Sequence, residues 1–354
     1  MSKSAYLILE DGTVFEGKNF GAEGETVGEV VFTTQMTGYL KTLTDPSNCG
    51  QIIVQTFPLS GNYGFIPAEL ENEKSYVSAY IVREWCQEPS NFRCEGVIDA
   101  FLKAQNVIGL YGIDTRKLTK IIRQKGVMKG RITTGELKDG SFDVSNDAPV
   151  YKVSTKEKVE YKAKNADLNV VVMDFGVKKS FINALNDRGC NVTVVPCNTT
   201  ADEIINMNPD GVVLSNGPGD PTEYTEIISE VGKLAKAKIP MFAIALGHQL
   251  LALSQGAKIT KLKYGHRGAN QPVLDVITEK TYITNQNHGY AVLSTTLPVF
   301  AKPSFVNVND KTCEGVNYLN MPALSVQFYP DAQSSPMNSS FLFDRFVKMM
   351  KEEK

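Results

Sequence analysis

The sequence predicts an α/β chain of two domains, one β-rich and N-terminal, the other doubly wound and C-terminal. The 354 residues exceed a typical single domain and suit two. Strand and hairpin patterns dominate the first part of the chain. From residue 168 onward, short apolar strands alternate with helical patterns. This alternation is typical of a mostly parallel sheet with helices on both faces.

The N-terminal pattern opens with a hairpin, in which the turn Asp11-Gly12 separates strand candidates at residues 6–9 and 13–16. Further strands are predicted at residues 27–34 and 51–57. Residues 115–123 have helical spacing, with their apolar side chains on one face and Asp114 or Thr115 as the expected cap.

The periodic pattern weakens between residues 133 and 167, where turn formers and charged residues dominate. We interpret this segment as a linker that contains one strand at residues 150–153. The predicted domains are therefore residues 1–132 and 168–354.

The C-terminal domain begins with a continuous apolar strand, as expected for a strand that is buried on both faces. Strands are predicted at residues 168–173, 191–195, 211–214 and 241–244, and helices at residues 178–187, 201–207 and 227–237. In such sheets, ligands bind beyond the carboxyl ends of the strands.

Two turns lie at predicted strand ends. The first, LSNGPGDP at residues 214–221, holds two glycines and two prolines, and glycine lets backbone N–H groups approach a ligand closely. The second, FAIALGHQ at residues 242–249, runs from an apolar strand into a helix that is predicted to start near Gln249. This is the layout of a nucleophile elbow, yet its display position is Ala245, which has no nucleophile.

Composition excludes several classes of protein. With 37 basic and 39 acidic residues, the formal net charge of -2 gives no sign of nucleic-acid binding. No run of 18 apolar residues predicts a membrane span, and the N-terminus lacks the pattern of a secretory signal. The six cysteines are scattered without metal-site spacing, so we expect reduced thiols in a cytoplasmic protein and no bound metal.

The order LSNGPGDP, FAIALGHQLLALSQGAK, QNHGYAV and VQFYPDA resembles a class I glutamine amidotransferase. Together with LEDGTVFEGKNFGA, QMTGYLKTLTDPS and GIDTRKLTKIIRQKG in the N-terminal half, it resembles the small subunit of carbamoyl phosphate synthetase. The resemblance covers nearly the whole chain and is weakest between residues 133 and 167. It implies the β-rich small-subunit domain followed by the doubly wound class I glutamine amidotransferase domain.

The family's elbow reads G-x-C-x-G-H-Q, and a late F-x-x-H-P-E stretch supplies the base and the residue that orients it. Here the cysteine position holds Ala245, the histidine position Tyr329 and the glutamate position Asp331, while Ala243 replaces the glycine. Without a thiol the covalent route is lost, and a phenol that titrates near pH ~10 is a poor base. The resemblance therefore implies a degenerate triad.

We find no substitute pair of nucleophile and base. The histidines are His248, His266 and His288, and the resemblance places none of them at the base position. We expect structural or binding roles for them. Cys197 follows a predicted strand end, but the resemblance gives it no role.

The glutamine-holding positions are better preserved than the triad. The family's oxyanion donors, two backbone N–H groups, map to Gly217 and Leu246, and backbone donors survive side-chain change. The resemblance places the glutamine contacts at Ser47, Gly217, Gly219, Leu246, Gln249, Asn287, Gly289 and Tyr290. Since Ser47 belongs to the N-terminal domain, the site is expected at a domain junction.

The resemblance implies a subunit that docks on a large synthetase subunit and takes part in making carbamoyl phosphate from bicarbonate, ATP and ammonia. The resemblance also places ATP and magnesium on the large subunit. This chain has no Walker-type loop, and we expect no cofactor in it. The pathway served, arginine or pyrimidine synthesis, stays open.

Three hypotheses follow. The first is a degenerate subunit that supports an ammonia-using large subunit or senses glutamine. The segments RGANQPV, QNHGYA and FVNVNDKTCEG favour it, because they resemble animal carbamoyl phosphate synthetases, one of which uses ammonia. The second is glutamine hydrolysis through an unrecognised nucleophile. The third is a partner-binding module with a new regulatory role.

Overall fold

The structure is a computed structural model that describes residues 3–137, 140–143, 148–330 and 339–352. The chain divides into two compact units, Met1–Asp147 and Ala148–Lys354.

Unit 1 is built on a closed barrel of seven strands in the order β1-β2-β8-β6-β4-β3-β9, with β5 and β7 pairing separately. Its strands are β1 (Ser4–Leu9), β2 (Val14–Gly21), β3 (Glu25–Thr33), β4 (Gln51–Gln55), β5 (Leu59–Ser60), β6 (Ala79–Val82), β7 (Glu84–Trp85), β8 (Ile108–Tyr111) and β9 (Met128–Thr134). Its helices are α1 (Tyr39–Thr44), α2 (Ile98–Ala104) and α3 (Thr115–Lys125), with short 3-10 turns at Pro46–Asn48 and Pro67–Glu69.

The local sequence explains the β1–β2 hairpin and helix α3. The β1–β2 hairpin turns at Gly12, whose φ of 85° is readily adopted only by glycine. Helix α3 begins where the Asp114 carboxylate accepts a hydrogen bond from the Lys117 N–H at 2.8 Å, so Asp114 is the cap. Leu118 and Ile122 of that helix are buried in the core inside the barrel.

Unit 2 contains one ten-stranded sheet in the order β10-β12-β11-β13-β14-β19-β18-β16-β15-β17. Its strands are β10 (Val159–Tyr161), β11 (Leu168–Asp174), β12 (Cys190–Pro196), β13 (Gly211–Leu214), β14 (Met241–Ile244), β15 (Ile259–Asp275), β16 (Thr281–Val292), β17 (Ala301–Asn307), β18 (Cys313–Tyr318) and β19 (Ala323–Val326). Its helices are α4 (Pro149–Val153), α5 (Lys179–Asn186), α6 (Ala201–Asn206), α7 (Thr225–Lys236), α8 (Leu246–Ser254) and α9 (Phe341–Glu352), with 3-10 turns at Pro221–Glu223 and Ser294–Thr296.

The five strands β12, β11, β13, β14 and β19 are parallel, and helices cover both of their faces. Along β11, Val171 and Met173 enter the core with α6, α7 and α8, whereas Val170 and Val172 enter the core with α5 and α9. This alternation explains why the strand reads as continuously apolar. The carboxyl ends of β11, β13, β14 and β19 are consecutive along one edge of the sheet.

The doubly wound C-terminal fold is confirmed, and three details differ from the sequence predictions. Residues 150–153 were predicted as a strand and form part of α4, whose first residue, Pro149, favours a helix start. The predicted linker also contains β10, which pairs with β12. Helix α8 begins at Leu246 rather than near Gln249.

Candidate functional site

A sharp turn at Ala245 joins β14 directly to α8. Ala245 has φ 51° and ψ -107°, a conformation that L-residues other than glycine rarely adopt. Such backbone strain costs about 1–3 kcal/mol and persists only where the surroundings impose it. This is the geometry of a nucleophile elbow, retained around an alanine.

Two backbone hydrogen bonds fix this turn between its neighbours. The Ala245 N–H donates to the Val326 carbonyl of β19 at 2.9 Å, and the Gly247 N–H donates to the Ser215 carbonyl at 3.0 Å. Gly247 must be glycine because a Cβ there would lie 2.2 Å from the Leu214 carbonyl oxygen. The elbow is therefore held by the ends of the strands on both sides of β14.

The loop after β13 approaches the elbow and the loop after β11. A Cβ on Gly217 would lie 2.3 Å from the Phe175 carbonyl oxygen and 2.8 Å from a methyl of Leu246, so only glycine fits. The Asn216 amide donates to the Gly176 carbonyl at 2.8 Å and ties the two loops together. Gly217 thus packs against the side chain of Leu246, the other expected oxyanion donor.

Neither of these two backbone N–H groups donates a hydrogen bond to an acceptor among the described residues. Leu246 is the first residue of α8, where backbone N–H groups lack partners within the helix and carry partial positive charge. The pair is thereby available to an anionic or carbonyl oxygen.

Gly219 of the same loop adopts φ 95°, and a Cβ there would collide with the Tyr224 hydroxyl at 1.8 Å. That hydroxyl donates to the Pro218 carbonyl at 3.0 Å and so closes the loop on itself. The glycine spacing that the sequence singled out therefore serves a close approach of backbone to side chain.

The remaining predicted contacts of this unit lie on α8 and β16. The Gln249 amide donates to the Tyr290 carbonyl and to the Gln327 side-chain oxygen, both at 2.9 Å. Asn287, Gly289 and Tyr290 lie on β16 and are half-buried. Gln249 thus connects the elbow helix to the strand that carries the other predicted contacts.

Tyr329 occupies the position of the family's base, two residues after Gln327. Its side chain is 2% exposed, its N–H donates to the Asn285 carbonyl at 2.9 Å, and it shares a buried cluster with Ala245. The Lys178 ammonium lies 4.5 Å from the centre of its ring, a cation–π distance. The third triad position, Asp331, lies outside the described residues.

Ser47 belongs to unit 1, in the 3-10 turn Pro46–Asn48, where it is buried and its N–H donates to the Asp45 carboxylate at 2.9 Å. Its predicted contact with glutamine stays a prediction.

His248 and His288 are engaged by the fold. His248 Nδ1 lies 2.9 Å from the Ser325 hydroxyl, and complete burial lowers the pKa of this imidazole to about 3. His288 Nδ1 lies 2.8 Å from the Tyr290 carbonyl oxygen, and burial lowers the pKa of His288 well below its usual value. Both rings are therefore neutral near pH 7.

Comparisons with known proteins identify the family. A model of the carbamoyl-phosphate synthase small chain, CPSase domain, matches residues 7–132, and a model of class-I glutamine amidotransferases matches residues 171–349. The chain is 49% identical to the carbamoyl phosphate synthase small chain of Clostridium perfringens, over 97% of this chain and 99% of that protein. It is 46% identical to the small chain of Staphylococcus haemolyticus, over 100% and 98% respectively.

The chain belongs to the carbamoyl phosphate synthase small chain family. A solved glutamine amidotransferase from Thermotoga maritima covers 52% of this chain and 83% of its own, at 18% identity and a TM-score of 0.39. Membership of this family implies a large-subunit partner. No helix in the described ranges is long and apolar enough to cross a membrane.

Sequence reasoning missed Lys178 in this small chain. The side chain is 2% exposed and lies against both Phe181 and Tyr329. Its neighbour Lys179 begins α5, so the local pattern reads as an ordinary charged helix start. No local signal distinguishes the buried lysine from a solvated one.

We expect the strain at Ala245 to be measurable. In Ala245→Gly, relief of about 1–3 kcal/mol of strain should offset the loss of a methyl group and the extra chain entropy of glycine. The free energy of unfolding should therefore stay equal or rise. Ala252→Gly, a buried control within α8, should lose about 1–2 kcal/mol. Urea denaturation followed by circular dichroism compares them, and equal losses in both variants would contradict a strained turn.

Proposed function

We propose that this small chain no longer hydrolyses glutamine and supports a large subunit that makes carbamoyl phosphate from free ammonia. The observation that carries the proposal is Ala245, an inert side chain displayed by an intact elbow. The covalent route to ammonia begins with attack by a thiolate on the glutamine amide, and a methyl group cannot attack.

The base position argues in the same direction. Tyr329 is buried, its ring meets Phe181 edge-on at 5.9 Å, and the Lys178 ammonium lies over its face. A phenol packed in this way has neither the proton affinity nor the freedom of an imidazole that must accept a proton and then return it to a leaving amine.

None of the three thiols that the structure describes in unit 2 is activated. Burial raises the pKa of Cys190 to about 11 and that of Cys313 to about 12, and it also raises the pKa of Cys197. All three thiols are therefore protonated near pH 7, whereas an activated cysteine has a lowered pKa. His248 and His288 already hold structural contacts.

We propose that the frame that would hold glutamine is retained. The backbone of Gly217 packs against the Leu246 side chain, and Gln249 links α8 to the strand that carries Asn287, Gly289 and Tyr290. We infer that glutamine still binds and can act as a signal without being consumed. Glutamine is thus the proposed ligand, and ATP and magnesium are assigned to the large subunit.

The proposed partner surface belongs to the N-terminal unit, which matches the small chain's own domain over residues 7–132. A stable contact with the large subunit should bury more than roughly 1,000 Å². The proposed setting is the cytoplasm.

Carbamoyl phosphate synthesis by the reconstituted pair tests the proposal. This chain and its cognate large subunit are mixed with ATP and bicarbonate, and product is measured with either glutamine or ammonium chloride. We expect product with ammonium and none above background with glutamine. The large subunit alone is the control, and it should respond to ammonium less well than the pair does.

Glutamine-dependent synthesis at even about 1 s⁻¹, an ordinary enzyme rate, would refute the loss of hydrolysis. An equal response to ammonium with and without this chain would refute its supporting role.

Restoration of the triad should be strongly non-additive, because nucleophile and base act as a unit. Ala245→Cys alone gives a thiol with no base, and its pKa should stay near ~8.5 or rise on burial. Tyr329→His alone gives a base with no nucleophile. Only the pair, best combined with Asp331→Glu and Ala243→Gly, should release ammonia from glutamine.

Ammonia release is measured for each single variant, the pair and the quadruple variant. If Ala245→Cys alone matches the quadruple variant, Tyr329 does not occupy the position of the lost base.

A further inference from the structure

Three buried side chains on adjacent strands of unit 2 form a cluster that the proposed function does not use. We call His266, His288 and Glu314 the histidine–glutamate cluster. His266 is 8% exposed, His288 6% and Glu314 0%. One candidate ligand atom from each residue lies within 4.8 Å of the other two.

Strand pairing produces this cluster. His266 of β15 pairs directly with His288 of β16, and their rings lie 4.9 Å apart. Glu314 lies on β18, the next strand after β16. The pairing of residues 266–268 is bounded on both sides by register shifts, which re-aim side chains within a sheet.

Hydrogen bonding fixes which nitrogen of each ring faces inward. His266 Nε2 lies 2.8 Å from a carboxylate oxygen of Asp310, and His288 Nδ1 lies 2.8 Å from the Tyr290 carbonyl oxygen. Both partners only accept, so these two nitrogens carry protons. In the neutral rings, His266 Nδ1 and His288 Nε2 therefore present lone pairs to the centre of the cluster.

Gln286 adds a further acceptor to the centre. The Thr284 hydroxyl donates to the Gln271 carbonyl at 3.0 Å, so its oxygen must accept from the Gln286 amide at 3.1 Å. This fixes the Gln286 side-chain oxygen 2.9 Å from His266 Nδ1 and 3.1 Å from His288 Nε2.

The centre holds more acceptors than donors. Two ring nitrogens, the Gln286 oxygen and the Glu314 carboxylate all bring lone pairs to it. Glu314 Oε1 lies 3.2 Å from His266 Nδ1, while Oε2 lies 3.8 Å from His288 Nε2 and is buried without a hydrogen-bond partner among the described residues. The Asn307 amide reaches His266 Nδ1 only at 3.5 Å.

A proton on His266 Nδ1 would meet the Gln286 and Glu314 oxygens and leave His288 Nε2 facing acceptors alone. A divalent cation satisfies all of them together.

We propose that the histidine–glutamate cluster binds one zinc ion, through His266 Nδ1, His288 Nε2 and the Glu314 carboxylate, with the Gln286 oxygen or a water in the fourth position. Two imidazoles and a carboxylate are a common zinc ligand set. The proposal departs from the sequence expectation of no metal, and it does not depend on the loss of glutamine hydrolysis.

The distances and outer contacts fit this assignment. Ligands of a tetrahedral zinc ion with bonds of about 2.0–2.1 Å lie about 3.4 Å apart, and the measured separations of 2.9, 3.1, 3.2 and 3.8 Å bracket that value. The three ligand atoms lie up to 4.8 Å apart, so small side-chain rotations must bring them to bonding distance of one ion. Asp310 and the Tyr290 carbonyl supply the acceptors that orient zinc-bound histidines in other proteins.

A zinc ion could enter from solvent at Asp310, and once bound it would link three strands. The Asp310 side chain, 44% exposed, connects the cluster to solvent. Bound zinc would join β15, β16 and β18, and it would fix His288 between Asn287 and Gly289. The cluster is thus a structural clamp on the strand that carries predicted glutamine contacts.

Zinc binding by the full chain tests the proposal. The protein is stripped with a chelator, dialysed against zinc sulfate and measured by mass spectrometry for metal content and by melting temperature. We expect one zinc per chain and a higher melting temperature. Glu314→Gln and His266→Gln should weaken zinc binding at least about 100-fold, and Asp310→Asn about 10–100-fold. Glu226→Gln, at an exposed glutamate of α7, is the matched control and should change affinity less than about two-fold.

Cobalt substitution excludes binding by the cysteines. Cobalt(II) at the proposed site should show visible bands of a nitrogen and oxygen environment without a thiolate charge-transfer band. Circular dichroism checks that each variant is folded, and the wild-type measurement stands even if one is not. Wild-type protein that retains no zinc, equal binding by Glu314→Gln, or a thiolate band would each overturn the proposal.

Discussion

The strained turn at Ala245 is the constraint on which the rest of the site depends. A φ of 51° is unfavourable for alanine, and the methyl side chain makes no polar interaction that would stabilise this conformation. The turn is imposed from both sides, by the Val326 carbonyl of β19 and by the Ser215 carbonyl that follows β13. The sheet therefore holds the elbow around an inert side chain, and the position of Leu246 and the start of α8 follow from the same turn.

The proposed binding frame and the triad positions thus depend on different physical features. The frame consists of backbone groups and glycines packed against strand ends, as at Gly217 and Gly247. Its loss would require repacking the sheet. The reactive groups are single side chains, and replacing them leaves the backbone unchanged. This difference explains how a fold can keep the shape of an amidotransferase site around Ala245 and Tyr329.

Much of the fold could be predicted from the sequence, because its signals are local. The apolar run of β11, the Asp11-Gly12 turn and the Asp114 cap each act within a few residues. Residues 150–153 were wrongly predicted as a strand, because a short apolar run fits either a strand or a helix. Pro149, at the first position of α4, favours the helix.

Only the site residues that lie in a recognisable sequence motif could be predicted. Ala245 and the glycines of residues 214–221 stand in recognisable turns. Lys178 gave no signal, because its burial depends on rings that α5 and the segment after β19 bring to it. The histidine–glutamate cluster gave none either, because strand pairing across unit 2 assembles it.

Glutamine binding measured together with glutamine survival tests the central claim most directly. The chain is titrated with glutamine in a calorimeter, and the recovered solution is assayed for ammonia. The account predicts saturable heat, weakened in Gln249→Ala, with the glutamine recovered intact. Ammonia released in step with binding would contradict the account, as would the absence of any heat at saturating glutamine.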